Sequence, residues 1–150
     1  MPALGPTDLP LFFFGTLMDG DVLEAVLGHP MPADGLEPAR LSGWKRVAIA
    51  GCAYPMLIPH PTGSVDGYLA RGLSGQDRRR LDHYEGPEYR AGIVMVRLPG
   101  NGQATEAETY LCRAGVTPGR VEWRLESWRR RHKRTALPRI RAIMAGCPFL

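Results

Sequence analysis

Two short stretches of this sequence hold residue types that could do chemistry. Glu85-Gly86-Pro87-Glu88-Tyr89-Arg90 places a carboxylate beside loop-shaping glycine and proline, where a helical pattern gives way to an extended one. Phe12-Phe13-Phe14-Gly15-Thr16-Leu17 places a glycine directly after three aromatics. A carboxylate at such a junction can take up and return a proton. A strand, a tight glycine turn and a helix in succession can present several backbone N–H groups to an anion or oxyanion without any cationic side chain. Taken singly, each stretch has a plainer reading: Gly15 lets the chain turn, and Glu85 faces solvent in a connector.

Other chemistries leave no trace. The chain has no HExxH, no GxSxG, no Walker sequence and no GxGxxG. Its histidines stand apart at positions 29, 60, 83 and 132, without the spacing of a ligand set, and read as surface or packing residues. Cys52, Cys112 and Cys147 are odd in number, far apart and free of any CxxC. Neither a disulfide framework nor a zinc site is expected, and a reducing cytoplasm is the expected location. Cys112 lies in an apolar strand pattern and reads as an inert thiol. No metal and no cofactor is expected. No apolar run approaches the ~20 residues of a membrane helix, and Met1–Pro10 lacks the features of a secretory signal and reads as a loose arm.

The 150 residues suit one domain, and 44% hydrophobic with 23% charged residues is globular composition. The net charge of +4 is unevenly spread: residues 1–112 carry −4 and residues 113–150 carry +8. Much of the basic excess lies in Arg129-Arg130-Arg131-His132-Lys133-Arg134.

These residues must be positioned by the elements around them. The aromatic run predicts a buried strand. Val22, Leu23, Val26 and Leu27 follow at helical spacing, with Asp19 or Asp21 as N-cap and Gly28 as the left-handed stop. Residues 31–38 read as a connector and 39–53 as extended, broken at Gly43 and Gly51. Pro55 and Pro59 make residues 54–59 a shaped loop or edge strand, with 61–64 as the turn that closes it. Residues 65–73 predict a strand. Ser74-x-x-Asp77 predicts a capping box opening a polar helix that Glu85-Gly86-Pro87 ends, with Leu73, Leu81 and Tyr84 inward. Residues 89–98 and 106–112 predict strands joined by a turn at Pro99–Gly102. Thr117-Pro118 predicts entry to a C-terminal helix carrying Trp123, Leu125, Trp128 and His132 on one face, with a further helical piece over 138–144. The order lacks repeated strand–helix alternation. It predicts an α+β fold, a mixed and largely antiparallel sheet curled into a small barrel, with flanking helices. The expected organisation is one domain over 1–150, with a basic helical segment at about 118–145.

The two chemical stretches also occur in a familiar order. Phe14-Gly15-Thr16-Leu17, the Tyr54-Pro55 loop, Val65-x-Gly67, Leu81-x-x-Tyr84-Glu85-Gly86 and Glu88-Tyr89-Arg90 follow one another along residues 11–132. In this the chain resembles the gamma-glutamylcyclotransferase-like, or AIG2-like, family, whose pattern is YG(S/T)L and later LDxxEGxxYxR. Phe14 replaces the family's usual tyrosine, so one hydroxyl is missing. The resemblance implies a small mixed β-barrel and a metal-free release of 5-oxoproline from a small γ-glutamyl amine or peptide. It implies Glu85 as acid/base and a substrate held by Phe14, Gly15, Thr16 and Leu17, with Tyr54, Pro55 and Tyr89 bordering the pocket. Glu85 and not Glu88 is expected to titrate, because Asp82 and a helix C-terminus both disfavour its ionisation. Asp19 and Asp21 would repel an anionic substrate, so it is expected over Gly15–Leu17 and away from the helix axis.

Two other functions fit the residues. One is a catalytically silent small-molecule-binding module on the same fold. The other is an RNA-binding or anionic-surface-binding protein acting through the basic C-terminal segment. No nucleic-acid motif accompanies that charge, so nucleic acid is not the expected partner, nor is a membrane; a small γ-glutamyl substrate is. The C-terminal segment is expected to pack through Trp123, Leu125 and Trp128, with its arginines outward or paired to the acidic first part of the chain. The sequence carries no signal for an oligomeric state.

Overall fold

The computed structural model describes residues 9–148, so the loose arm expected over 1–10 lies almost wholly outside the described residues. Six strands and four helices follow in the order β1 (Leu11–Phe13), α1 (Gly20–Leu27), β2 (Leu36–Ile49), β3 (Pro55–Ala70), α2 (Gly75–Glu85), β4 (Tyr89–Arg97), β5 (Ala104–Cys112), β6 (Pro118–Glu122), α3 (Leu125–Arg131) and α4 (Lys133–Ala145). A single 3-10 turn, Thr16–Met18, joins β1 to α1. The sheet order is β3-β1-β5-β4-β2-β6, and β2 also pairs with β3. That extra pairing closes β3, β1, β5, β4 and β2 into a five-stranded barrel, with β6 on the outside edge of β2. Only the β1–β5 contact is parallel. The mixed, largely antiparallel barrel with flanking helices is therefore the fold of this chain.

Strand alternation divides the core in two. Phe12 and Phe14 point into the barrel, among Leu41, Leu57, Val65, Leu69, Val94 and Val96. Leu11 and Phe13 point outward, beneath Val22, Val26, Trp128 and Ile140 of the helical layer. Gly67 makes room for the first strand: a β-carbon there would lie 2.3 Å from the Phe13 carbonyl oxygen. Thr109 Oγ1 adds a hydrogen bond to the Phe12 carbonyl at 2.8 Å.

Local signals in the sequence match the observed caps. Asp19 is the N-cap of α1, accepting from the Asp21 and Val22 N–H groups at 3.0 and 3.1 Å. Gly28 ends that helix at φ 84°. Ser74 and Asp77 form the reciprocal capping box of α2. Where pairing is long-range, the structure differs from the expectation. Of the loop or edge strand expected over 54–59 the structure has the strand, from Pro55 on, and residues 61–64 continue it within the sixteen-residue β3 in place of the expected turn. Pro55 and Pro59 are tolerated because their segment pairs with β2 alone, while β1 reaches only Tyr68–Ala70. The expected turn is an irregularity: Ser42 pairs with Ser64 but Trp44 with Pro59, leaving residues 60–63 bulged opposite Gly43.

Pro118 opens a strand and not a helix, because β6 pairs with β2 through Ile49–Pro118 and Val47–Glu122. Trp123 consequently precedes α3, and His132 separates α3 from α4 instead of lying on a helix face. The last helix begins at Lys133, five residues before the expected start, and carries Pro138 inside it. No helix among the described residues is long and apolar enough to cross a membrane.

Candidate active site

The Gly15 turn leaves β1 at the rim of the barrel, and three contacts hold it there. Arg46 Nη1 donates to the Phe14 carbonyl at 2.7 Å. The same guanidinium donates through Nε to the Trp123 carbonyl at 3.1 Å and lies 5.3 Å from the centre of the Trp123 ring. Thr16 Oγ1 and the Tyr84 hydroxyl share a hydrogen bond at 2.6 Å, tying the turn to α2. Pro55 closes the third side, since a β-carbon on Gly15 would lie 2.9 Å from Pro55 Cγ. Pro55 is itself fixed by the Tyr89 hydroxyl, which donates to its carbonyl at 2.8 Å. Within the turn the Met18 N–H bonds back to the Gly15 carbonyl. The N–H groups of Gly15, Thr16 and Leu17 have no such partner among the described residues.

A cavity of about 430 Å³ opens against this turn. Glu85, the last residue of α2, lies in its wall, although about seventy residues separate it from Gly15. Phe14, Gly15, Thr16, Leu17, Tyr54, Pro55, Glu85 and Tyr89, the eight residues singled out in the sequence, all line this one space. Met56 and Leu57 do not: both are buried, Leu57 inside the barrel.

Glu85 is half-buried, and its carboxyl is pushed up to about 8. Removal from water is the larger cause, and the neighbouring Asp82 carboxylate adds to it. No hydrogen bond or ion pair among the described residues offsets these effects. Asp82 is itself engaged, accepting from the Tyr110 hydroxyl at 2.7 Å. The phenols of Tyr84 and Tyr89 are raised as well, by burial first and by Glu85 among the lesser causes. They are neutral at any ordinary pH.

The acidic residues near the turn are neutralised. Asp19 is fully buried, and its Oδ2 accepts from Arg129 Nε at 2.8 Å and Lys133 Nζ at 2.9 Å. Burial alone would raise its carboxyl, but the hydrogen bonds from Arg129, Lys133 and Val22 outweigh burial and hold it below the usual range. Lys133 also reaches Asp21 at 2.7 Å. Two basic residues of the C-terminal run, Arg129 and Lys133, thus pair with the acidic first part of the chain, as one of the two expected arrangements has it, while its arginines stay exposed.

Several lining residues were not singled out in the sequence. Tyr84 sits one position before Glu85 in the same motif, and its hydrogen bond to Thr16 could not be read across 68 positions. Ile49 and Cys52, Val116, and Ile143 come from three separate segments and share no pattern. Arg46 carries the turn from behind and looked like any strand cation. Glu88, expected as a surface contact, is exposed and also lines the cavity. None of the four histidines is in the wall, and His29 is paired with Asp77 at 2.8 Å. Cys112 is pushed up to about 11, chiefly by burial. The described residues contain no group of three side chains arranged to hold a metal.

Comparison with known proteins gives the chain a family and a shared fold. The family described as Gamma-glutamyl cyclotransferase, AIG2-like matches residues 11–130. AIG2-like protein A of Arabidopsis thaliana is 28% identical over 135 residues, which is 89% of this chain and 80% of that protein. AIG2-like protein B of the same plant is 30% identical over 89% of this chain and 77% of its own length. A solution structure of an Arabidopsis thaliana protein superposes with a TM-score of 0.67 at 28% identity, covering 93% of both chains. A solved structure described as gamma-glutamyl cyclotransferase shares the fold, with a TM-score of 0.55 at 18% identity over 70% of this chain and 66% of its own. The matched span includes the Gly15 turn and the end of α2, and the chain belongs to the gamma-glutamyl cyclotransferase, AIG2-like family.

Proposed function

We propose that this protein releases 5-oxoproline from a small γ-glutamyl amine or peptide, without a metal and with Glu85 as general acid/base. The observation that carries the reading is the meeting of Glu85 and the Gly15–Leu17 turn in one cavity. Such a substrate brings its own nucleophile. Its α-amino nitrogen attacks the γ-carbonyl carbon and closes a five-membered ring, gaining the advantage of an intramolecular reaction. Charge gathers on the carbonyl oxygen as the new C–N bond forms. The unpaired N–H groups of the turn are suited to receive it. The bond to the departing amine then breaks.

One proton must travel from the attacking amine to the leaving nitrogen. Glu85 can accept it and return it. A carboxyl raised to about 8 is a stronger base, once ionised, than an ordinary glutamate. An incoming ammonium also reverses part of the shift, because an opposite charge favours the carboxylate. The apolar surroundings that raise Glu85 keep water from competing.

The test is a panel of γ-glutamyl amines, dipeptides and glutathione-like tripeptides, assayed for 5-oxoproline with a chelator present. Release from at least one compound is the expected result. No release from any, with tight binding of some, would favour a silent binding module. Restoration of activity by one divalent metal would reject the metal-free reaction.

A further inference from the structure

Arg46 stands behind the Gly15 turn and is not part of the cavity wall. Its Nη1 donates to the Phe14 carbonyl at 2.7 Å. That carbonyl and the Gly15 N–H are the two ends of one peptide group, and no peptide bond among the described residues is cis. In a trans peptide the C=O and N–H bonds point in opposite directions. With its carbonyl held against Arg46, this peptide turns its N–H away from the guanidinium, on the side where Phe14 and Gly15 line the cavity. The rest of the half-buried guanidinium is held by neutral groups. Nε donates to the Trp123 carbonyl at 3.1 Å, and the Trp123 ring centre lies 5.3 Å away. The longer contacts of Nη1 are the Asp66 carbonyl at 3.4 Å and the Met18 sulfur at 3.8 Å. No carboxylate lies within ion-pair distance among the described residues. Glu122 and Asp66 act on it only from further off.

Resting on the reaction just proposed, we infer that Arg46 is a positioning residue that acts on the reacting oxygen through the Phe14–Gly15 peptide, aiming the Gly15 N–H into the cavity and strengthening it as a donor. A cation at the carbonyl draws electron density toward that oxygen and leaves the N–H of the same peptide more positive. Linked hydrogen bonds polarise one another in this way, by roughly 10–30% per bond, and a charged donor is the stronger kind. Negative charge grows on the substrate oxygen as the ring closes, so the gain belongs to the transition state more than to the bound substrate. The indirect route also spares Glu85. A cation in the wall would favour the Glu85 carboxylate and pull its pKa down, whereas Arg46 is not among the groups that act on it.

Arg46→Met removes the charge and Arg46→Lys keeps one, and two readings separate polarisation from simple bracing of the turn. The first is the amide spectrum of isotope-labelled protein without substrate. The Gly15 amide proton and nitrogen should move upfield in Arg46→Met, with Arg46→Lys between it and wild type. The Thr16 and Leu17 amides, whose peptides Arg46 does not touch, should move less. The second is turnover of whichever compound of the γ-glutamyl panel releases 5-oxoproline fastest, measured below the melting temperature of each variant. Arg46→Met should lose roughly tenfold in kcat, less than the outright removal of a donor costs, with KM within about twofold of wild type. Arg46→Lys should recover part of the loss, and it carries both readings if Arg46→Met does not fold. Equal shifts at Gly15, Thr16 and Leu17, or a loss that falls on KM with kcat unchanged, would overturn the inference and leave the cyclotransferase reading intact. A wild-type chain that releases no 5-oxoproline would refute the reaction and the reacting oxygen with it, while the Gly15 resonance would still decide whether Arg46 polarises the peptide.

Discussion

Gly15 has no room for a β-carbon, and its backbone, at φ −120°, does not itself demand glycine. The constraint is the Pro55 ring, 2.9 Å from the position such a carbon would take. Gly15→Ala should therefore push the turn away from β3, costing about 1–3 kcal/mol of stability, as overpacking does. It should also lower kcat/KM at least tenfold by displacing the N–H groups. Replacing Pro55 with Ala in the same chain should recover much of the lost stability, because the two effects share one contact. Denaturant melts of the single and double variants measure this; additive losses would show that the contact is not the cause. Gly15 was conspicuous in the sequence, but its partner was not. Nothing local places Pro55 against it, since Pro55 lies forty residues further along the chain and is held by pairing with Ala48 of β2.

At the scale of elements, what could be read from the sequence were the pieces governed by neighbours in the chain. The Asp19 cap, the Gly28 stop, the Ser74–Asp77 box and the hairpin turn after Arg97 all act within a few residues. The failures share the opposite property. Residues 61–64 and 118–122 hold prolines, which favour turns or helix starts locally, yet both lie in strands because β2 supplies a partner. Arg46 sits on that same β2 and links the layers, bonding to the Phe14 and Trp123 carbonyls while covering the Trp123 ring. Burial lowers its guanidinium from the ordinary value, though not enough to discharge it. Arg46→Met keeps much of the stem but loses these charge-assisted hydrogen bonds, each worth about 1.5–3 kcal/mol. A net loss of about 2 kcal/mol should lower the melting temperature by roughly 4–8 °C for a chain of this size. An unchanged melting temperature would show that the guanidinium does not hold the turn.

Across the whole molecule, the acidic first part and the basic last part are charge partners. Asp19 is buried at the start of α1, and the cations that neutralise it arrive 110 and more positions later, on α3 and α4. Trp123, Trp128, Ile140 and Met144 bring those helices into the same core as β1 and α1. The sequence hinted at this through its charge asymmetry, but the pairing itself depends on topology. Ending the chain after Glu122 should remove these four large buried side chains, each worth about 1.5–3 kcal/mol, and leave Asp19 without its counter-ions. That sum is comparable with the whole stability of a domain, so the shortened chain should show no cooperative melt. If it melts at the full-length temperature, the segment is an appendage, and its basic run regains interest as a binding surface.

The central claim is that Glu85 moves the proton, and the most direct test is kcat/KM for 5-oxoproline release by Glu85→Gln against wild type across pH. As a base, Glu85 acts when ionised, so in wild type kcat/KM should rise with pH and level off near its value of about 8. Glutamine keeps the shape but cannot titrate. The variant should lose about 10²-fold or more and also lose the inflection near pH 8. Its fold should not suffer. A carboxyl raised from 4.5 to about 8 holds more protons in the folded than in the unfolded chain between those values, so wild-type stability falls as pH rises through that window. Glu85→Gln escapes this and should melt no lower than wild type at pH 9. A folded Glu85→Gln that releases 5-oxoproline at the wild-type rate, with the pH inflection intact, would contradict the account.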